Sequence, residues 1–176
     1  MALFENNNII LRALEPEDLD ILYRWENDST LWRNGITLTP YSKFALRDYL
    51  SNSTMDIFQT RQLRLMIEEK KSGNSIGTID LYDFDPMNLR AGIGILVDAA
   101  YRRQGFGFQA LQLMTEYAFR FLLLKQLYAY VPQRNKASYT LFNKSGYKES
   151  GLLLSWIKTE AGFIDVYLMQ LIAANG

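Results

Sequence analysis

The chain has 176 residues, of which 48% are hydrophobic and 22% charged, enough apolar material to bury a sizeable core. Nineteen basic residues balance nineteen acidic ones, so the charge gives no reason to expect nucleic acid or an anionic membrane surface as a partner. Because Cys and His are both absent, disulfides, Cys acyl-enzymes, His-based triads and ordinary zinc sites are excluded, and we expect no metal.

The sequence carries no segment that we interpret as a targeting signal or a membrane span. The first ten residues lack a cationic stretch followed by a long apolar one, and the apolar run at 121–124 is too short to cross a bilayer. We find no linker, internal repeat or low-complexity stretch. We therefore expect a cytoplasmic protein without a membrane partner, folded as a single domain over residues 1–176.

The first part of the chain predicts one strand followed by helices. Residues 9–14 are mostly apolar and indicate a strand. The acidic run 15–18 contains a proline and is typical of a helix N-terminus, and this helix extends to about residue 25. Pro40 opens a second helix over roughly residues 41–50.

A meander of three strands follows. Residues 63–69 and 75–84 predict an antiparallel hairpin because turn-forming residues separate them, and residues 89–97 add a third strand. The third strand places Gly92 and Gly94 on one face. Two glycines inside a strand are unfavourable unless a ligand or another backbone comes close, so function is a candidate explanation for them and packing is the other.

The remaining residues predict a helix, a strand, a helix and a closing hairpin. These elements cover 105–124, 127–131, 135–145 and the strand pair 151–158 and 163–172. The last strand is strongly apolar, so it is either central in the sheet or covered by a neighbouring subunit. The order of elements predicts an α+β fold: a mixed, mostly antiparallel central sheet of about seven strands with helices on both faces.

A glycine-containing loop joins the third meander strand to the long helix. Gly105 and Gly107, two apart, let backbone N–H groups turn toward one point, and the helix N-terminus adds further donors. Arg102 and Arg103 add positive charge. The loop therefore suits a phosphate or a pyrophosphate.

Two well-known phosphate loops do not match. The P-loop pattern, with Lys and Ser or Thr after its second glycine, is absent. The spacing of Gly105, Gly107 and Ala110 formally fits a dinucleotide-binding loop, but that loop needs an early βαβ unit and an acid about twenty residues later. Lys125, Gln126 and Leu127 stand there instead.

A third loop is much closer. Arg102-x-x-Gly105-x-Gly107 resembles the Gln/Arg-x-x-Gly-x-Gly/Ala loop of the Gcn5-related N-acetyltransferase (GNAT) superfamily, which binds acyl-coenzyme A. Segments 90–95, 135–138 and 142–147 also resemble, in order and spacing, the branch that acetylates ribosomal-protein N-termini and spermidine. The opening Leu11-Arg12-x-Leu14-x-x-x-Asp18 looks like the first strand and helix of that branch.

The resemblance implies a coenzyme A site across the sheet where two central strands separate. The pyrophosphate would lie on the loop and the pantetheine along the preceding strand, with Asn135 facing the cofactor. The residues implied in coenzyme A binding are Ile95, Leu96, Val97, Arg102, Arg103, Gln104, Gly105, Phe106, Gly107, Phe108, Asn135, Ser138 and Phe142.

The resemblance also implies the reaction, a direct transfer of acetyl from acetyl-CoA to a primary amine on a small molecule such as a polyamine, or on a protein N-terminus. An amine arrives as ammonium, so a base must take its proton, and without His the acids are the first candidates. Asp80 and Asp83 lie where the family places such acids. They are three residues apart, so only a bulge would bring both to one cavity; Asp80, which shares a face with Thr78 and Tyr82, is favoured.

One residue departs from the family. Many relatives carry a Tyr whose phenol protonates the departing thiolate, and the equivalent position here is Phe142. Our hypothesis is that Tyr139, one helical turn earlier, or a water replaces it. The same departure leaves a second interpretation open, a non-catalytic acyl-CoA sensor, and a third is a structural interaction module. Relatives are often dimers or larger rings, so the resemblance also implies a homo-oligomer.

Overall fold

The computed structural model describes residues 3–28, 39–52 and 56–174. In this part of the chain seven strands form one sheet: β1 (Ile9–Arg12), β2 (Leu63–Glu69), β3 (Asn74–Asp85), β4 (Arg90–Val97), β5 (Gln126–Pro132), β6 (Lys148–Thr159) and β7 (Gly162–Ile172). Their order is β1-β2-β3-β4-β5-β7-β6. Neighbouring strands are antiparallel except β4 and β5, which are parallel.

The described residues also form five α-helices: α1 (Leu19–Glu26), α2 (Lys43–Asn52), α3 (Ile57–Thr60), α4 (Phe106–Glu116) and α5 (Lys136–Lys144). Single 3₁₀ turns precede α1 and lie between β4 and α4. The mixed, mostly antiparallel sheet and its helices confirm the expected α+β fold. None of the described helices combines the length and the apolar character that crossing a membrane requires.

The sheet separates two apolar clusters because side chains alternate along each strand. On the first face, Leu22 and Trp25 of α1 pack around Met66 of β2, next to α2. On the second face, Leu111 and Met114 of α4 are fully buried in a cluster with β3, β4 and α5. Each fully buried side chain of this size contributes about 1.5–3 kcal/mol. Helices therefore cover both faces of the sheet.

The positions of the last two strands explain why β7 is strongly apolar, which the sequence left open. β7 lies between β5 and β6, so it is apolar because it is interior, and no neighbouring subunit is needed to cover it. The edge strand at this end of the sheet is β6, which exposes Leu154 and Trp156. The helix expected over 105–124 also differs, since α4 ends at Glu116 and a π-helical segment, Tyr117–Phe121, follows it.

An ion-pair cluster ties β1 to the start of α1. The Arg12 guanidinium donates to both Asp18 oxygens at 2.8 Å and to Glu68 at 2.6 Å. Asp18 also accepts the Glu15 backbone N–H at 2.8 Å, which completes a capping box. Burial alone would raise the pKa of Asp18, but the bonds from Arg12 and the Glu15 amide outweigh it and lower that pKa.

Because of this cluster, we expect the free energy of unfolding to depend on pH in the acid range. Because the pKa of Asp18 is lowered on folding, its contribution is full above the ordinary Asp pKa and is lost as the pH falls through the folded value. Replacing Asp18→Asn should lower the free energy of unfolding by about 3 kcal/mol at pH 7. Urea titrations at neutral and acid pH should show the difference from the unmodified protein shrinking below about pH 4. A constant difference would contradict this assignment.

Candidate active site

The parallel strands β4 and β5 pair briefly and then separate. Their register runs from Arg90 opposite Gln126 to Gly92 opposite Tyr128. Within residues 56–174 no pair continues beyond that point, although β4 extends to Val97 and β5 to Pro132. We call the space between residues 93–97 and residues 129–132 the gap, and its head is the pair Gly92 and Tyr128. The gap leaves a strand edge free to bind an extended ligand.

Alternation decides which backbone groups face the gap. The Asp98 N–H donates to the Ile76 carbonyl of β3 at 2.8 Å, so Leu96 also turns its backbone toward β3. Ile95 and Val97 therefore direct their N–H and C=O groups into the gap. Of the three strand residues expected to hold pantetheine through their backbone, Leu96 is in the wrong orientation, because its N–H and C=O face Thr78.

The loop between β4 and α4 is anchored at its first residue. The Asp98 carboxylate accepts the Ala100 N–H at 3.0 Å, the Trp25 indole N–H at 2.8 Å and the Arg24 guanidinium at 3.0 Å. These bonds, together with the neighbouring positive charges, lower the pKa of Asp98 against the opposing effect of burial. The loop is thereby fixed to α1 on the first face of the sheet.

The end of the loop presents positive charge and free N–H groups. Gly105 is the N-cap of α4, with a φ of 83° that favours glycine, and it provides no side-chain cap for the first N–H groups of the helix. Arg102 donates from Nε to the Val97 carbonyl at 2.9 Å, which holds its guanidinium at the gap, and Arg103 is exposed beside it. Because residues 99–108 contain no acid, the loop fits a pyrophosphate.

Gly107 lets α4 approach the gap closely. A methyl group there would lie 3.3 Å from Leu141 Cδ2, 3.5 Å from Val97 Cγ2 and 3.7 Å from Ile95 Cδ1. The first turn of α4, the C-terminal half of β4 and α5 therefore meet at this glycine. A ligand lying along the free edge of β4 reaches the helix N-terminus without a side chain in its way.

The other expected loop residues serve the protein's own structure. Phe106 is buried in the core and meets the Tyr101 ring in a tilted arrangement, at 6.3 Å between ring centroids, so its backbone is the part that a ligand could reach. Gln104 donates to the Ala100 carbonyl at 3.1 Å and closes the loop on itself. The Lys144 ammonium lies 5.1 Å from the centre of the Phe108 ring, so that ring faces α5.

On α5, Asn135 caps the helix by accepting the Ser138 N–H at 3.1 Å. Phe142 is buried, with an edge-to-face contact of 5.0 Å to Tyr147. Tyr139 donates its hydroxyl to Glu149 of β6 at 3.1 Å, and this bond raises the pKa of the phenol. Since β6 lies two strands beyond β5, the Tyr139 hydroxyl points away from the gap, contrary to the role expected of it.

The two aspartates of β3 are not brought to one cavity. Asp80 accepts Arg64 Nε at 2.6 Å and Nη2 at 3.2 Å, and Arg64 also donates to Glu26 at 2.8 Å. A bulge does interrupt the pairing of β3 with β4 after Tyr82, but it leaves Asp83 exposed with a φ of 48°. Asp80 is thus half of an ion pair, and Asp83 faces solvent at the sheet end.

A tyrosine cluster that the sequence pattern did not predict lies on the first face, at the head of the gap. Tyr82 and Tyr128 meet edge to face at 6.2 Å, and Tyr128 meets Tyr130 at 5.6 Å. A methyl group at Gly92 would overlap the Tyr82 ring, so packing against this ring explains the glycine. The signal lies in cross-strand register, which places Tyr82, Gly92 and Tyr128 side by side on three strands.

No group of three or more acids in the described ranges could hold a metal ion.

Comparisons with known proteins find acetyltransferases similar to this chain in both sequence and structure. Residues 8–148 match the family model described as acetyltransferase (GNAT) domain. The uncharacterized N-acetyltransferase p20 of Bacillus licheniformis is 28% identical over 98% of this chain and 97% of its own length. Spermidine N(1)-acetyltransferase of Vibrio cholerae is 24% identical over 97% and 96%. A crystal structure of spermidine N-acetyltransferase from Vibrio cholerae, in complex with CoA and spermine, has a TM-score of 0.84 at 23% identity, covering 95% of this chain and 96% of that one.

Proposed function

The chain belongs to the acetyltransferase (GNAT) domain family, and from that premise we propose that it transfers the acetyl group of acetyl-CoA to a primary amine of an aliphatic polyamine. The family makes it an acetyl-CoA-dependent N-acetyltransferase. The observation that supports the site is the gap between β4 and β5, which opens beside the glycine loop. No covalent enzyme intermediate is needed, because the amine attacks the thioester directly.

Different residues around the gap bind different parts of acetyl-CoA. The first N–H groups of α4, with Arg102 and Arg103, hold the pyrophosphate by charge-assisted hydrogen bonds. The backbone of Ile95 and Val97 binds the extended pantetheine as a neighbouring strand would. A gap-facing N–H of β4 also stabilises the oxyanion that develops when the amine attacks. The thioester is thereby oriented toward the first face of the sheet.

The first face favours a cationic acceptor. Glu26 and Asp80 bind Arg64 on this face, and Asp83 adds an exposed carboxylate at the end of the sheet, so several acidic groups lie on this side of the gap. The exposed ring of Tyr130 adds a surface suited to cation–π contacts with an ammonium group. Two relatives named above act on, or are crystallised with, polyamines. An aliphatic chain with several ammonium groups matches this surface better than a peptide N-terminus, which carries one. Experiment must decide between these two acceptors.

The acceptor is tested by release of free coenzyme A thiol. The panel contains spermidine, spermine, butylamine and a short peptide with a free N-terminus, each with acetyl-CoA. We expect kcat/KM for the polyamines to exceed that for butylamine at least about tenfold, since the carboxylates on this side of the gap favour a second ammonium group. A preference for the peptide would replace the polyamine by a protein N-terminal amine as the acceptor.

A second function is favoured by one observation, the missing helix phenol. Phe142 has no proton to give, and the Tyr139 hydroxyl is bonded to Glu149. A domain that binds acetyl-CoA without efficient transfer would have these features. Calorimetry with acetyl-CoA, run beside the thiol assay, separates the two: tight binding with no acceptor-dependent thiol release would favour a sensor.

The positive charge of the loop gives a direct prediction. Reversing it with Arg103→Glu should weaken coenzyme A binding by about 1.5–3 kcal/mol, roughly 10–100-fold, because a charged hydrogen bond is lost and a repulsion added. Arg120→Glu is the matched control, since Arg120 pairs with Glu116 at the far end of α4. Calorimetry at low and high salt should show that the difference in coenzyme A affinity between the two variants becomes smaller, because salt screens the repulsion. Equal affinities of both variants would contradict the loop assignment.

We further propose that copies of the chain associate through β6. This edge strand exposes Leu154 and Trp156, and the next strand exposes Phe163 at the same hairpin. Exposed apolar edge strands pair readily with another chain. Light scattering during size-exclusion chromatography tests the proposal, and a monomeric mass at micromolar concentration would overturn it.

A further inference from the structure

The head of the gap holds a phenol that the helix lacks. Tyr82 starts on β3, and its ring crosses β4 at Gly92, where a methyl group would overlap it. The ring also comes within 3.7 Å of the position that a methyl group would take at Gly94. Glycine at both positions lets the side chain lie flat across a strand. Tyr82 therefore reaches from β3 toward β5.

The ring is held in place on its far side. Tyr128, opposite Gly92 on β5, meets the Tyr82 ring edge to face at an interplanar angle of 85°. The Tyr82 hydroxyl faces the backbone of Tyr130, two residues beyond the last β4–β5 pair. The Tyr130 N–H has no β4 carbonyl to bond in the described strands, because the pairing has ended. The phenol thus lies at the point where the strands part.

The surroundings keep this phenol protonated. Burial raises the pKa of Tyr82, and the neighbouring Tyr128, Tyr130 and Asp83 raise it further, against a smaller opposite effect of the Tyr130 N–H. A proton donor must carry its proton when the leaving group forms, and Tyr82 does so throughout the neutral range. Phe142 has no hydroxyl and the Tyr139 hydroxyl is bonded to Glu149, so neither offers a proton at the gap.

We infer that Tyr82 is the catalytic proton donor of this enzyme, taking the place of the phenol that is absent at position 142. This inference rests on the proposed acetyl transfer. As the C–N bond forms and the C–S bond breaks, the Tyr82 O–H bond breaks and its proton goes to the coenzyme A sulfur. The amine attacks in its neutral form, after its ammonium proton has passed to solvent. In this step the nitrogen becomes part of an amide and releases one further proton, which returns through solvent to the Tyr82 oxygen. One proton leaves nitrogen and one arrives at sulfur, so the step balances.

The first test is Tyr82→Phe, which keeps the ring against Gly92 and removes the hydroxyl. We expect kcat for acetyl transfer to spermidine to fall about 100-fold or more, while the affinity for acetyl-CoA changes less than about twofold. Tyr147→Phe is the matched control, because Tyr147 is also buried beside an aromatic ring but lies in the core of the second face. Thermal unfolding should show both variants folded. A kcat within about threefold of the unmodified enzyme would overturn the inference.

A second measurement needs no acceptor. Because Tyr82 donates to the sulfur, it stabilises the thiolate of bound coenzyme A, and this thiolate absorbs in the ultraviolet. Titrating bound coenzyme A with base should require a higher pH in Tyr82→Phe than in the unmodified protein or in Tyr147→Phe. If the titration shifts but no amine is acetylated, the proposed acceptor fails and the role of Tyr82 stands. If the titration is unmoved, or if Tyr139→Phe abolishes turnover while Tyr82→Phe does not, the assignment to Tyr82 is wrong.

Discussion

Replacing Gly107→Val should abolish coenzyme A binding without unfolding the protein. A single methyl at this position already reaches 3.3 Å from Leu141 Cδ2 and 3.5 Å from Val97 Cγ2. The branched side chain of valine would push α4 and α5 apart and fill the space beside the free edge of β4. The helix N-terminus and the strand backbone could then no longer contact one ligand. We expect the dissociation constant to rise at least about 100-fold, or about 2.8 kcal/mol.

The prediction is measured by calorimetry with coenzyme A, with two comparisons. Gly107→Ala adds a methyl at ordinary to tight contact distance and should weaken binding much less. Gly151→Val, on β6, meets no neighbour within 4 Å and should leave binding unchanged. Thermal unfolding of all three distinguishes a blocked site from a lost fold. Retained affinity in folded Gly107→Val would place the coenzyme elsewhere and remove the support for the gap.

Much of the fold follows from local pattern. The limits of β2 match those predicted, and β3, β4 and β5 agree to within about a residue or two, because apolar alternation and turn residues act over short distances. Gly105 and Asn135 take up the cap positions that their chemistry favours at the starts of α4 and α5. The glycine loop lies beside the free edge of a strand, as its resemblance to acyl-coenzyme A loops implies.

The side-chain chemistry of the site was harder to predict because it depends on pairing between strands. Asp80 is an attractive base on its own strand, but Arg64 lies opposite it on β2 and binds both its oxygens. The sequence leaves two explanations for Gly92, a close ligand or packing, and the Tyr82 ring from the neighbouring strand decides for packing. Neither partner lies near in sequence. Register, which one sequence leaves undetermined for distant strands, decides both.

The second large effect is expected at the ion pairs of Arg64. Replacing Arg64→Met should lower the free energy of unfolding by about 3–5 kcal/mol, because the largely buried Asp80 carboxylate loses its partner. Burial by itself disfavours the Arg64 charge, but the Asp80 carboxylate more than offsets this and the pKa of Arg64 is raised. The Tyr49 ring, 5.6 Å from the guanidinium carbon, adds a cation–π contact that methionine cannot make. Urea titration at pH 7 measures the loss.

The matched control is Arg24→Met, which breaks the ion pair with Asp98 on an arginine whose side chain is 67% exposed. A solvent-exposed pair contributes about 1 kcal/mol or less, so a similar loss in both variants would contradict the burial argument. A double variant, Arg64→Met with Asp80→Leu, separates an unpaired charge from lost packing. The double variant should be more stable than Arg64→Met alone, because Asp80→Leu removes the buried carboxylate that the first substitution leaves without its partner. If the double variant is less stable, Asp80 contributes through contacts other than Arg64, and its candidacy as a functional carboxylate is revived.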